Sequence, residues 1–203
     1  MYNRVNVRKK QTFTENYFNG GVGMLMTYDE CLKKYKTDYQ IKKKLKDGEL
    51  YKIEKGIYST EEYVPELSII AAKYPNAVVT MDMAFYMHGL TDVIPDKYCL
   101  STDKDSSKIN DKRIKQRFEK QDYMYVGVVE KEYQGSKVKV YSEERMLIEV
   151  IRNKSKLPFD YYKEIICNYR ERIHKLDVQT IQEYASTFPK SRMITEVLMN
   201  EVF

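Results

Sequence analysis

The residues best placed to do chemistry are hydrogen-bonding side chains and cations packed between Thr37 and Lys55. Thr37, Tyr39, Gln40, Lys42, Lys43, Lys44 and Lys46 crowd one short segment, and Lys52 and Lys55 follow beyond Gly48. The set holds no paired nucleophile and base and no metal-ligand spacing, so it does not read as a reaction centre. It suits a polyanion. Amides and phenols hydrogen-bond base edges in a major groove, while ammonium groups neutralise phosphates. On that logic Tyr39, Gln40 and Lys43 are candidate groove contacts. Lys42, Lys44, Lys46, Lys52 and Lys55 are candidates for phosphate contacts or the flanking field. Thr37 belongs to the helix start that aims them.

The elements that must position these side chains follow from local signals. Thr27 with Glu30, and Thr37 with Gln40, fit the capping box, in which a hydroxyl and a side-chain carboxylate or amide satisfy orphan amides reciprocally. Two helices therefore start close together. Gly48 is a C-cap candidate for the second, because glycine enters the left-handed region without steric cost. At roughly 100° per residue, Ile41 and Leu45 turn inward and Tyr39, Lys43, Lys46 and Asp47 outward, with Gln40 and Lys42 on the flanks. The stretch Leu50–Tyr58 reads as a basic hairpin turning near Gly56. Residues 23–26 read as a short strand pairing with it. Phe13, Tyr17 and Phe18 outline an earlier helix ending at Asn19-Gly20-Gly21. Helix, strand, helix, helix, hairpin is the order of a winged helix-turn-helix. A winged helix that docks protein, with its lysines only solvating one face, is the bland alternative.

Charge supports the nucleic-acid reading. Residues 1–58 hold 13 Lys/Arg against 7 Asp/Glu, or +6. The rest of the chain therefore carries −1 of the total +5. The positive field belongs to the segment already suspected of touching DNA. Cys31, Cys99 and Cys167 are far apart and His88 and His174 have no partners at ligand spacing, so free thiols and no zinc are expected. No window approaches the ~20 apolar residues of a membrane span, and there is no signal-peptide pattern. A cytosolic protein without cofactor is expected.

Beyond Tyr58 the pattern changes. Pro65 opens a helix running to about Tyr74, with Leu67, Ile70 and Ala71 facing a core. Residues 77–79 form a short buried strand, and Thr80 caps a helix from Met81 to His88 that stops at Gly89. Residues 97–102, 123–130 and 138–141 read as strands, with a turn near Gly135. Residues 103–120 read as a polar loop. From Ser142, a cap candidate, the chain is helical, with Met146, Leu147, Val150 and Ile151 in one stripe and further helices over 159–173, 178–188 and 191–202. The fold class is α+β: a winged helix-turn-helix over residues 1–60, then a small mixed sheet with a helical C-terminal tail over 61–203.

Three segments, taken together, resemble the AbiEi family of antitoxins. They are Gly48-Glu49-Leu50-Tyr51-Lys52-Ile53-Glu54-Lys55-Gly56-Ile57-Tyr58, Ala84-Phe85-Tyr86-Met87-His88-Gly89-Leu90, and Val140-Tyr141-Ser142-Glu143-Glu144-Arg145. The resemblance implies a winged helix that represses its own operon through inverted repeats in double-stranded operator DNA. It also implies a C-terminal domain that counteracts a nucleotidyltransferase-type toxin, AbiEii, without requiring a stable complex. Palindromic operators usually take two protein copies.

The remaining polar motifs have plain explanations. His88-Gly89-Leu90 fits a helix C-terminus, and Glu143-Glu144-Arg145 fits a helix start where carboxylates favour the dipole. Asp103 and Asp105, beside Lys104 and Lys108, fit a solvated loop. Gly135-Ser136 lacks the paired carboxylates that a nucleotidyltransferase needs after it. The reading is of a non-enzymatic DNA-binding antitoxin. Its rivals are a regulator with a ligand- or protein-sensing second domain and no toxin, or an enzyme with a carboxylate-lined pocket within residues 76–141.

Overall fold

The computed structural model describes residues 24–203. The helix expected around Phe13, Tyr17 and Phe18 lies outside them. The described chain is mixed α and β, built around two small sheets.

The first sheet is β1 (Leu25–Thr27), β2 (Tyr51–Glu54) and β3 (Ile57–Ser59), antiparallel in the order β1-β3-β2. Helices α1 (Tyr28–Tyr35) and α2 (Asp38–Lys46) lie between β1 and β2 in the chain. The Thr27 capping box is complete, with Glu30 returning a carboxylate to the Thr27 amide at 2.7 Å. At α2 only half of the expected box forms. Thr37 Oγ1 accepts from the Gln40 amide at 3.2 Å, but the Gln40 side chain does not reach back. Gly48, at φ +71°, lets the Glu49 amide return to the Lys44 carbonyl at 3.0 Å, the closing bond of a Schellman end. Ile41, 1% exposed, packs with Met26, Cys31, Leu50 and Tyr58 into a small core of their own.

Helix α3 (Glu66–Lys73) joins the sheets. Pro65 stands just before it as the capping residue, one position earlier than expected. Ile69 packs with Ile57 and Val64 against the first sheet, while Leu67 and Ile70 enter the main core. Apolar side chains on two faces let one helix serve both.

The second sheet has the order β6-β5-β4-β8-β7, from β4 (Val78–Val79), β5 (Tyr98–Asp103), β6 (Ile114–Glu119), β7 (Val128–Tyr133) and β8 (Ser136–Tyr141). β4 is antiparallel to β5 and parallel to β8, while β5 and β6 run parallel. Gln134 and Gly135, both at positive φ, make the two-residue turn between β7 and β8. Helices α4 (Met81–Met87), α5 (Gln121–Met124), α6 (Glu143–Arg152), α7 (Phe159–Arg172), α8 (Val178–Thr187) and α9 (Ser191–Val197) complete the fold. The expected stripe of Met146, Leu147, Val150 and Ile151 is buried on α6.

Three expectations fail here. Residues 103–120 are not a loop: they contain β6, whose sequence Ile-Lys-Gln-Arg-Phe-Glu buries only Ile114 because it is a sheet edge. The strand expected over 123–130 is instead the end of α5, a turn through Gly127, and the start of β7. Thr80 stands at the N-cap of α4 but makes no cap bond; its hydroxyl points to Met146 Sδ at 3.8 Å. Met81, at φ +47°, takes the chain into α4 by a turn that displaces the usual cap geometry.

Candidate nucleic-acid interface

Helix α2 presents the residues picked from sequence, though not as equals. Tyr39 is 73% exposed, and Gln40, Lys43 and Lys46 are exposed beside it. Because its half of the capping box is not made, the Gln40 amide is free of that duty. Among the described residues Lys43, Lys46, Lys52 and Lys55 make no ion pair. Lys42 Nζ lies 2.6 Å from Asp38 one turn earlier, and Lys44 is paired with Glu49. Those two cations carry a compensating carboxylate, which weakens the field they present. Thr37 is exposed at the helix start, where its hydroxyl caps.

Tyr28 fixes the hairpin relative to α2, a role that sequence reading missed. Its backbone amide donates to the Gly56 carbonyl at 3.1 Å, and its phenol donates to Asp38 Oδ1 at 3.1 Å. One residue thus holds the hairpin turn and the first turn of α2. The Asp38 carboxylate, bonded first by Lys42 and also by Tyr28, is held below its ordinary range. Leu45 packs partly on the small core from behind. Lys52 and Lys55 lie on the hairpin, exposed, and the pairing slips by one residue between Lys52 and Glu54. Such a bulge sharpens the local twist of the hairpin.

Glu54, at the end of β2, is bound from outside its own sheet. Arg113 Nη1 donates to its Oε1 at 2.6 Å and Lys73 Nζ to its Oε2 at 3.1 Å. Arg113 also grips Asp111 through Nε at 2.9 Å and Nη2 at 2.6 Å. The bonds from Arg113, and next those from Lys73, hold the Glu54 carboxyl below its usual range; Arg113 does the same to Asp111.

A second polar centre lies under the C-terminal helices. Arg145, 0% exposed, donates to Glu149 Oε1 at 2.7 Å and Glu119 Oε2 at 3.4 Å, and lies 3.7 Å from the Phe188 ring centroid. Arg152 donates to the same two carboxylates, at 2.6 Å and 3.1 Å. Two cations and two anions thus form a neutral quartet. Arg145 is a buried structural cation, beyond the local pairing its place at a helix start implies. His88 is likewise internal. Its Nε2 donates to the Tyr141 carbonyl at 2.7 Å, leaving Nδ1 to accept from Lys131 Nζ at 3.3 Å. Burial lowers its pKa.

Among the described residues no group of His, Cys, Asp and Glu is arranged to hold a metal ion, and the three cysteines are free thiols. No helix among them is long and apolar enough to cross a membrane. Compared with protein-family models and with curated proteins, the chain finds no match.

Proposed function

We propose that residues 24–60 form the helix-turn-helix and wing of an operator-binding repressor, with α2 in the major groove and the β2–β3 hairpin as the wing. The observation that carries this reading is the outward face of α2: Tyr39 and Lys43 stand exposed opposite Ile41 and Gln40 stands exposed on its flank, without a competing ion pair among the described residues. Tyr39, Gln40 and Lys43 contact the groove there, with Gln40 reading base edges, and Lys46, Lys52 and Lys55 engage phosphates. Lys42 and Lys44 contribute less, because Asp38 and Glu49 offset them. Helped by the resemblance of the chain to AbiEi antitoxins, the reading extends to a non-enzymatic, cytoplasmic antitoxin. It represses its own operon and counteracts a nucleotidyltransferase-type toxin without a lasting complex.

The test is an anisotropy titration of the full chain against its own upstream DNA and a scrambled duplex, at two salt concentrations. The expected result is tight, selective binding that weakens with salt. Equal affinity for both duplexes at both salts would sink the operator reading. Co-expression with the adjacent nucleotidyltransferase gene tests the antitoxin half by growth rescue. The polar cleft beside the buried quartet favours a second reading, a regulator with a ligand-sensing second part and no toxin. Selective DNA binding without rescue would favour it.

A further inference from the structure

Helix α3 turns its smallest side chains toward a cavity. By helical period, Ser68, Ala71 and Ala72 share an arc of roughly 100°. The arc lies between Ile69, which packs toward the first sheet, and Leu67 and Ile70, which enter the main core. Across from it are Val79, Leu100 and Val138. The pairing of Val79 with Leu100 and with Val140 puts those three on one face of the second sheet. Leu25 of β1 closes a further side. The space between has a volume of about 370 Å³. Ligand pockets begin at about 300 Å³ and are mostly apolar, as this one is.

Two polar groups mark its ends. Ser68, 3% exposed, lines the cavity, and its Oγ is buried without a hydrogen-bond partner among the described residues. A buried hydroxyl left unbonded is unfavourable, so it is free to bond a ligand. The other end is Lys139. Strand alternation starts its side chain on the face away from Val138. However, β4 meets β8 only at Val79–Val140, so residues 75–77 and 137–139 beside that pair carry no ladder. Lys139 Nζ reaches across this opening to the Pro75 carbonyl at 2.9 Å, and Pro75 lines the cavity. Among the described residues Lys139 makes no ion pair, although Glu130 stands opposite it on β7. Lys137 lines the same end, so two ammonium groups there meet one carboxylate. Ser68 and Pro75 are seven residues apart, about 10 Å along the helix direction, with Ala71 and Ala72 between them.

We propose that this cavity binds a small aromatic carboxylate with a hydroxyl opposite its acid group. The carboxylate lies at Lys139, the ring between Ala71, Ala72, Leu100 and Val138, and the hydroxyl on Ser68 Oγ. Two methyl side chains leave room on the helix side for a flat ring, and the span suits one ring with a polar group at each end. The site stands apart from the α2 face and does not depend on DNA binding.

The experiment is isothermal titration of the full chain with 4-hydroxybenzoate and 4-hydroxyphenylacetate, with benzoate and phenol as separate arms. At least one hydroxylated acid should saturate the protein at one site per chain, with benzoate several-fold weaker and phenol weaker by roughly tenfold. Ser68→Ala removes a hydroxyl that bonds nothing in the fold, so it should leave the melting temperature unchanged. It should bring the hydroxylated acid down to the affinity of benzoate and leave benzoate as it was. Lys139→Ala should weaken both acids roughly tenfold and leave phenol unchanged. Ala71→Leu, shown to be folded by a cooperative melt, should fill the space and abolish binding. Absence of saturable binding by both hydroxylated acids would overturn the site, as would binding that Ala71→Leu leaves intact. Benzoate binding as tightly as both hydroxylated acids would overturn the role of Ser68, and phenol binding as tightly as benzoate that of Lys139.

Discussion

Arg113 Nη1 lies 2.6 Å from Glu54 Oε1, joining the edge of the second sheet to the end of β2 in the hairpin that carries Lys52 and Lys55. Lys73 of α3 closes on the same carboxylate at 3.1 Å. The hairpin is therefore placed by the second sheet as well as by its own strands.

This linkage has a pH signature. The Glu54 pKa is lowered by Arg113 and then Lys73, and Asp111 is lowered by Arg113. Groups with depressed folded pKa values stabilise fully above the unfolded value, near ~4, and lose that stabilisation as pH falls through the folded value. Arg113→Ala should cost about 1 kcal/mol at neutral pH and flatten the fall in stability below about pH 4. Urea melts of both proteins from neutral to acid pH check it. Parallel pH profiles would show that the linkage does not stabilise the fold.

On α2 and the hairpin, the proposed roles separate in a binding series. Gln40→Ala should cost about 1–3 kcal/mol of discrimination between operator and scrambled DNA. Lys52→Ala and Lys55→Ala should weaken both duplexes alike and lower the salt slope by about one each. Lys43→Ala should lose more affinity than Lys44→Ala, since Glu49 already neutralises Lys44. Uniform losses across the series would remove Gln40 as a reader of bases.

Among the described residues three threonines stand at helix N-caps, and only two of them cap. Thr27→Ala and Thr37→Ala should each destabilise by about 1 kcal/mol. Thr80→Val should be nearly neutral, because it keeps the shape and removes a hydroxyl whose partner is a sulfur. Denaturant midpoints at constant slope supply the comparison.

Gly127 faces a tighter limit than Gly89. At φ +72°, a Cβ there would stand 2.6 Å from Arg145 Cβ, on a side chain held by the buried quartet. Gly127→Ala should cost about 3 kcal/mol, combining left-handed strain with overpacking. Gly89, at φ +63°, has no such neighbour within 4 Å, so Gly89→Ala should cost only the strain, about 1–2 kcal/mol. Thermal unfolding of the two variants ranks them directly.

The helical part of this protein is written locally. Thr27, Thr37 and Ser142 announce their helices because a cap needs only the residues within the next turn. Ile41 is buried and Tyr39 exposed because helical period and residue type decide both. Gly48 takes its positive φ for a reason visible in one residue.

What lay beyond the sequence depends on partners far along the chain. β6 shows no alternation because an edge strand buries little, and only its parallel pairing with β5 makes it a strand. Thr80 has cap chemistry, yet the turn at Met81 sends its hydroxyl to Met146, 66 positions on. Arg145 reads only as a charge with local pairing at a helix start until Glu119, Glu149 and Phe188 close around it. The Glu54–Arg113 pair and the cleft between Thr80, Arg117 and Lys156 are likewise assembled from separate segments. Composition and spacing thus determine the helices and their faces. The edge pairing, the buried charges and the cleft were decided only by tertiary packing, because their energies come from contacts that no local window contains.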